Sequence, residues 1–526
     1  MSRPRRPWLG WLALVLCAAL IVLVRRLDLF GDRGMDNVVS GLLLALIALG
    51  GLVALARRRS LPLRVRLSWL GAVGVTGGLF LALVRVEGVS AEMIPELRWR
   101  WRARAGLALP VSARLALAAP ASSDFPAFLG VRRDNAVPAA RLARDWRAGP
   151  PRCLWRAPIG AGWSAFALAG GHAFTLEQDE HAQRASARSA ATGALGWSVV
   201  VDEPFQHVLG GDGPRSTPWV ELDRDGGRVY ALTAWGRLVC LDATSGALRW
   251  SHDLLAEYGL TRDEEQALAQ YGRSASPLVL GELVIVPAGG AVGGQQAGLV
   301  AFEKASGVLR WQSPARHFSY SSPAFAVLAG VPQILCVNEA SLTAHAPEDG
   351  RILWEQPWPG RTSGDANVSQ AVPIPPANVL VSKGYGGGAL LLALAAEVDG
   401  TLAPRELWRD ARLLRTKLTN VVLHGGFVYG LDDGMLECVE LTSGAKRWKE
   451  GRYGHGQILL AGELLLVCSE EGEVFLLEPD PERANAVLGS FQGLTGKSWA
   501  HLALADGVLY LRNAEECAAW ALPSAR

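Results

Sequence analysis

Adjacent cysteines are missing from this sequence, and so is any Cys-x-x-Cys pair; the seven cysteines stand singly along 526 residues. That excludes a compact disulfide framework and a zinc ribbon. Lysine is absent from residues 1–105, where 16 arginines face six acids. The three long apolar runs in that region, 8–24, 38–56 and 67–84, contain no Asp, Glu, Lys, Arg or His. Runs without an ionisable group offer no proton relay or ion path, so they read as an anchor. The remaining residues carry 36 bases against 44 acids. An acidic balance there excludes nucleic acid as a partner, because phosphate binding needs a basic footprint.

The three runs are 17, 19 and 18 residues long, enough at 1.5 Å per residue to cross a hydrocarbon core of about 30 Å. Arg25 and Arg26 follow the first run where a signal-peptide cleavage site carries small residues, so that run reads as a span. Arg3, Arg5 and Arg6 precede it, and Arg57, Arg58, Arg59, Arg64 and Arg66 fill the loop before the third run. The loop between the first two mixes Arg25, Arg26 and Arg33 with Asp28, Asp32 and Asp36. The positive-inside rule then puts the N-terminus and the second loop in the cytoplasm and everything after residue 84 on the far side.

From about Cys153 onward one phrase returns: an apolar strand, a turn, a second strand, then Gly-x-x-x-Trp. It reads TGALGW ending at Trp197, SGALRW at Trp250, SGVLRW at Trp311, DGRILW at Trp354 and SGAKRW at Trp448. A degenerate copy, GTLAPRELW, ends at Trp408, and LGSF suggests another ending at Phe491. Successive Trp positions from Trp155 are 42, 53, 61, 43, 54 and 40 residues apart. A period of this length with several short strands per unit is that of propeller blades rather than helical solenoids. Each unit opens with an innermost strand, and eight openings are found, which predicts eight blades. The last unit, 497–522, lacks its Gly-x-x-x-Trp strand, and RCLWRAPI at 152–159 has that strand's form. Trp155 is therefore expected to complete blade eight and leave no sheet edge unpaired. The tryptophans are expected to wedge against the next blade, with the glycine supplying a positive φ. Cys240, Cys438 and Cys517 are expected at one matched position in three blades as buried apolar groups.

These repeats resemble the quinoprotein-type propeller, the superfamily of the quinoprotein alcohol dehydrogenases. They are most similar to the PQQ-binding-like β-propeller repeat proteins related to the outer membrane assembly factor BamB. The residues that carry the resemblance are the five Gly-x-x-x-Trp phrases, GRLVCLDATSGALRW at 236–250 and FPAFLGVRRDNAV at 125–137; VEGVSAEMIPELRWRW at 86–101 looks like the membrane-exit linker of the same proteins. The resemblance, which covers roughly residues 86–526, implies an all-β, eight-bladed quinoprotein-like β-propeller at 151–526 with a lead-in at 86–150; the apolar runs place three transmembrane helices before it, within 1–85. It also implies a bacterial inner-membrane protein whose propeller lies in the periplasm or otherwise outside the cytoplasm.

A fold of this kind hosts dehydrogenases, scaffolds and ligand binders alike. The resemblance to dehydrogenases implies a pyrroloquinoline quinone held between a Trp and an adjacent Cys-Cys disulfide, with calcium. This chain has no such pair, and no motif places calcium ligands or a base. The expectation is accordingly a non-catalytic binding or scaffold protein without resident cofactor or metal, with a protein partner in the envelope; a PQQ-dependent dehydrogenase of an alcohol or sugar is the alternative. If the innermost strands open onto the central channel, its mouth is lined by Trp163, Arg215, Arg273, Tyr320, Asn367, Lys417, His455 and Lys497. Cations with an aromatic and an amide group suit a multiply charged anion, such as a tricarboxylate quinone or an acidic peptide. The ordinary alternative is a set of solvated strand ends. KGYGGG at 383–388 lacks the Lys-Ser/Thr ending of a phosphate loop and reads as a strand-connecting turn.

Overall fold

The computed structural model describes residues 8–27, 32–58, 60–101, 114–223, 226–291, 293–359, 366–397 and 401–525. Arg3, Arg5, Arg6, Asp28 and Arg59, used above for orientation, and Gly400 of the degenerate repeat lie outside them. Two compact units result, residues 1–104 with 208–210, and residues 105–207 with 211–526.

Long stretches of Leu, Ala and Val make the first unit helical: Trp8–Leu27, Arg33–Arg57 and Leu63–Leu83. Asp32 caps the second helix by accepting from the Met35 N–H at 3.2 Å, and Asp36 in its first turn complements the dipole. Pro62 starts the third helix four residues before the apolar run, so Arg64 and Arg66 fall in its first turn. Three spans were expected. Two helices, Arg33–Arg57 and Leu63–Leu83, are long and apolar enough to cross a membrane; in the first, the described apolar stretch is the shorter Leu16–Arg25. Val84, expected to end the third span, begins the strand Val84–Val89, which pairs antiparallel with Pro95–Trp99. The Asn37 side chain donates to the Glu92 carbonyl at 2.9 Å, which puts the start of the second helix and the tip of this hairpin at one end of the unit.

The second unit is an eight-bladed propeller. Blades one to seven are antiparallel meanders starting at Ala167, Trp219, Leu278, Ala324, Val372, Val422 and Gln457. The first strands of neighbouring blades approach one another around the axis. The second and third strands lie between blades and are buried on both faces, which explains unbroken apolar runs such as Leu464–Cys468. Fourth strands face solvent and are polar at most positions, as in Lys446–Arg452. Blade eight is the expected composite: Ala503–Ala505, Val508–Arg512 and Glu516–Ala521 are completed by Arg152–Pro158, with Trp155 opposite Ala519.

Every blade carries a β-bulge at the same place, one residue before the Trp position. Trp197, Trp250, Trp311, Trp354, Trp408, Trp448 and Trp155 thus face Ala187, Cys240, Ala301, Ala344, Leu391, Cys438 and Ala519. The bulge turns each indole toward the next blade. Nε1 of Trp197, Trp250, Trp311, Trp408 and Trp448 donates to the carbonyl of Ala243, Lys304, Pro347, Leu441 and Asp480, respectively. Register corrects two expectations. Cys517 faces Ala157, two residues from the Trp position, so only Cys240 and Cys438 match. In blade seven the Trp position is Gly489, facing Leu476, and not Phe491.

The lead-in segment does more than connect. Phe125 pairs with Leu168 of blade one, and Pro126 accepts from the Val220 N–H of blade two. Ala136 and Val137 pair in parallel with the first strand of blade seven. The segment therefore crosses the channel and satisfies free inner strand edges. Its path is tightly bent: Leu129, Arg133 and Asn135 have φ of 60°, 54° and 58°.

Candidate functional site

Just before each innermost strand, a belt joins the blades around the axis. The N–H groups of Ala165, Thr217, Ser276 and Gln370 donate to the side-chain oxygens of Thr217, Ser276, Ser322 and Asn420 of the following blade, at 2.9–3.0 Å. Gln457 donates to the carbonyls of Leu418 and Trp499, both at 2.8 Å. This is the physical reason for the repeated Ser/Thr/Asn/Gln in these openings.

The eight expected mouth residues divide by their distance from the belt. Trp163, Arg215, Tyr320, His455 and Lys497 lie two residues before it, whereas Arg273, Asn367 and Lys417 lie three before. The second group is buried, with exposures of 1%, 1% and 4%, and so are His455 and Trp163 of the first, at 2% and 7%. Arg273 makes a buried ion pair with Glu265, 2.6 Å from Nε, and donates to the Ala288 carbonyl at 2.6 Å. Asn367 donates to Asn338 and Glu339 carbonyls. Lys417 sits 3.3 Å from Asp433. Arg273 and Asn367 are thus held in the wall by protein partners, whereas Lys417 shares Asp433 with His455.

Of the first group, Arg215, Tyr320 and Lys497 remain partly exposed. They belong to one arc across blades eight to four. Lys497 lies 4.6 Å over the Trp499 ring, and Trp499 packs on Trp163 at 5.0 Å. Gly211 abuts Trp163, and its carbonyl accepts from Arg215 at 2.8 Å. Arg215 lies 5.4 Å over Phe205, and burial lowers its pKa to about 10. Tyr320 packs on Tyr271, which packs on His207. Trp499, Tyr271, His207 and Phe205 were missed; Trp499 shares the strand face of Lys497, two residues on, and was in that sense readable. The arc leaves Arg215, Lys497 and Tyr320 partly exposed over buried Trp163, Trp499 and Phe205, a cationic rim suited to a carboxylate.

Adjoining the arc at Trp499 the groups are acid and base. His455 Nε2 is 3.7 Å from Asp433, and Glu470 accepts from the His455 N–H at 3.1 Å and from Trp499 Nε1 at 2.9 Å. Calcium takes six to eight oxygens. Both acids here are engaged by protein donors, and among the described residues no three His, Cys, Asp or Glu side chains converge. As arranged, these residues do not form a calcium cage beside a quinone. KGYGGG is a strand-connecting turn between Asn378–Lys383 and Gly388–Ala396.

Deeper in the channel lies Arg133, 3% exposed. It donates to the carbonyls of Pro323, Ser276 and Pro277 at 2.5, 3.0 and 3.0 Å and lies 5.6 Å over Trp219. Burial lowers its pKa to about 9. Its own carbonyl accepts from Gln370, and Asn135 bonds Ile458, so the lead-in ties blades three, four, five and seven beneath the mouth.

Comparison with known proteins agrees with this geometry. A family model described as outer membrane protein assembly factor BamB matches residues 181–450. No curated protein sequence matches significantly. The crystal structure of BamB from Moraxella catarrhalis is similar with a TM-score of 0.50 and 15% identity, covering 71% of this chain and all of that one. A europium-containing methanol dehydrogenase is similar at 0.51 and 11%, covering 74% and 96%. The quinohemoprotein alcohol dehydrogenase from Comamonas testosteroni is similar at 0.51 and 12%, covering 77% and 81%. At these identities the solved structures show the fold alone. With the family model spanning just over half of its length, the chain belongs to the PQQ-like β-propeller family of the outer membrane protein assembly factor BamB.

Proposed function

We propose that this chain is a membrane-anchored, extracytoplasmic binding protein that acts without catalysis and presents the propeller mouth to a protein of the cell envelope. The observation that carries the reading is the arc of Lys497, Trp499, Trp163, Arg215 and Tyr320. A rigid, belted ring loses little conformational entropy on binding, so modest contacts suffice for specificity. The partner chemistry is an acidic segment. The family model, named for an assembly factor, supports a role in envelope protein assembly. The apolar helices Arg33–Arg57 and Leu63–Leu83 support the anchor, and their arginine-rich connection supports a cytoplasmic second loop.

The test is photo-crosslinking of the full chain in its native membrane, with a benzophenone side chain at Tyr320. Capture of a discrete envelope protein, lost in Arg215→Ala/Lys497→Ala, supports the reading. Titration of pyrroloquinoline quinone with calcium separates the dehydrogenase alternative: saturable one-to-one quenching of tryptophan emission, lost in the same double variant, favours a quinoprotein.

A further inference from the structure

The hairpin that follows the third helix has two chemically distinct faces. Val86 pairs with Leu97 and Val84 with Trp99, so these four share one face. Val86, Leu97 and Trp99 are 57%, 53% and 51% exposed, and Trp101, 66% exposed, stacks on Trp99 at 5.0 Å and 16°. Arg85 pairs with Arg98 on the other face, where Glu87 binds Arg98 at 2.6 Å and Arg85 at 3.5 Å. Ion pairs thus fix the polar face, while Val86, Leu97, Trp99 and Trp101 of the apolar one stay more than half exposed.

The position of that face identifies what covers it. The strand starts at Val84, directly after the third helix, whose Leu79, Phe80 and Leu81 are exposed. The Arg100 N–H donates to the Leu83 carbonyl at 2.9 Å, and its Nε donates to Leu81 at 3.2 Å. These bonds tie Arg100, between the two stacked indoles, to the last helical turn. Tryptophan prefers the boundary between hydrocarbon and headgroups, where an apolar ring and a polar N–H are both accommodated.

We infer that the hairpin of residues 84–101 is a membrane-surface platform. Its occupant is the lipid of the leaflet from which the third helix emerges: Val86, Leu97, Trp99 and Trp101 enter the acyl–headgroup boundary, and Arg85 and Arg98 stay on the aqueous side. The inference rests on the reading of Leu63–Leu83 as a span.

The experiment uses full-length protein in native membranes, carrying a benzophenone side chain in place of Trp101, of Leu81, or of Val308 on the propeller surface. Lipid adducts at 101 within about threefold of those at 81, and about tenfold above those at 308, are expected. Lipid adducts at 81 with protein adducts at 101, to the propeller or to a second copy, overturn the platform and leave the span intact. No lipid adduct at 81 overturns the span, and the platform with it. All three positions are more than half exposed, and the aromatic benzophenone side chain at 101 takes the place of the indole that stacks on Trp99.

Discussion

The indole of Trp155 lies against Gly193 of the neighbouring blade, so close that a Cβ added there would stand 2.5 Å from Cε3, and its Nε1 donates to the Ala190 carbonyl at 2.8 Å. The same arrangement joins Trp197 to Gly246, Trp250 to Gly307, Trp311 to Gly350 and Trp408 to Gly444. Each Gly-x-x-x-Trp phrase therefore works in two directions: its glycine receives the indole of the blade before, and its tryptophan reaches the blade after.

Gly350 and Gly330 in blade four separate the two demands on glycine. Both have positive φ, 73° and 78°, but a Cβ at Gly350 would stand 2.4 Å from Trp311, whereas Gly330 faces open space. Gly330→Ala should cost about 1 kcal/mol from backbone strain alone. Gly350→Ala should cost roughly 3 kcal/mol, because the indole must also move. Urea midpoints of the full chain in detergent measure both, and equal losses would refute the seating of the indole on glycine.

Arg273 and Arg215 looked alike in sequence and should behave differently on mutation. Arg273→Met strands Glu265 in a site 1% exposed, a loss of about 3–5 kcal/mol. Arg273→Met/Glu265→Met should recover most of it, since neither charge is then buried. Arg215→Ala should change stability by about 1 kcal/mol and instead lower partner capture. A double variant no more stable than Arg273→Met would show that the pair is not the source of the loss.

What the sequence disclosed and what it concealed follow from periodicity. Trp155 could be assigned to blade eight because a strand's form survives transfer to the other end of the chain. At the mouth, Arg215, Tyr320 and Lys497 stay partly exposed while the other expected residues are buried, a difference set by partners such as Glu265 and Asp433 that the repeat pattern does not show. The lead-in across the channel was hidden for another reason. Its contacts are to backbone carbonyls and free strand edges, as with Arg133 and Pro323, and these leave no mark on the sequence of the receiving strands.

His345 should make the propeller acid-sensitive. It is fully buried, its Nδ1 pairs with the Gly350 carbonyl at 3.0 Å and its Nε2 with Thr343 Oγ1 at 2.8 Å, and burial lowers its pKa from 6.5 to about 4. Between those values the unfolded chain binds a proton that the folded chain refuses. Stability contributed by the neutral ring is therefore full above pH 6.5 and is lost as pH falls, by about 1.4 kcal/mol per pH unit, until pH 4. In His345→Gln the stability lost between pH 7 and 5 should shrink by about 2 kcal/mol. An unchanged pH dependence would locate the acid sensitivity elsewhere.

Blade seven lacks the tryptophan that its seven counterparts carry, and the lead-in supplies one. Gly489 occupies the Trp position, and Trp146, 3% exposed, packs on it so closely that a Cβ at Gly489 would stand 2.9 Å from the Trp146 Cβ. Trp146 joins Leu476, Leu509 and Leu511 in one apolar cluster between blades. Trp146→Ala should therefore cost about 3–5 kcal/mol, like the loss of an ordinary core tryptophan. Gly489→Trp alone should also destabilise, because two indoles contend for one site. Combined, the changes restore the ordinary blade arrangement, and the double variant should be more stable than the sum of single losses implies by about 2 kcal/mol or more. Simple additivity of the two losses would mean that Trp146 does not stand in for the missing residue.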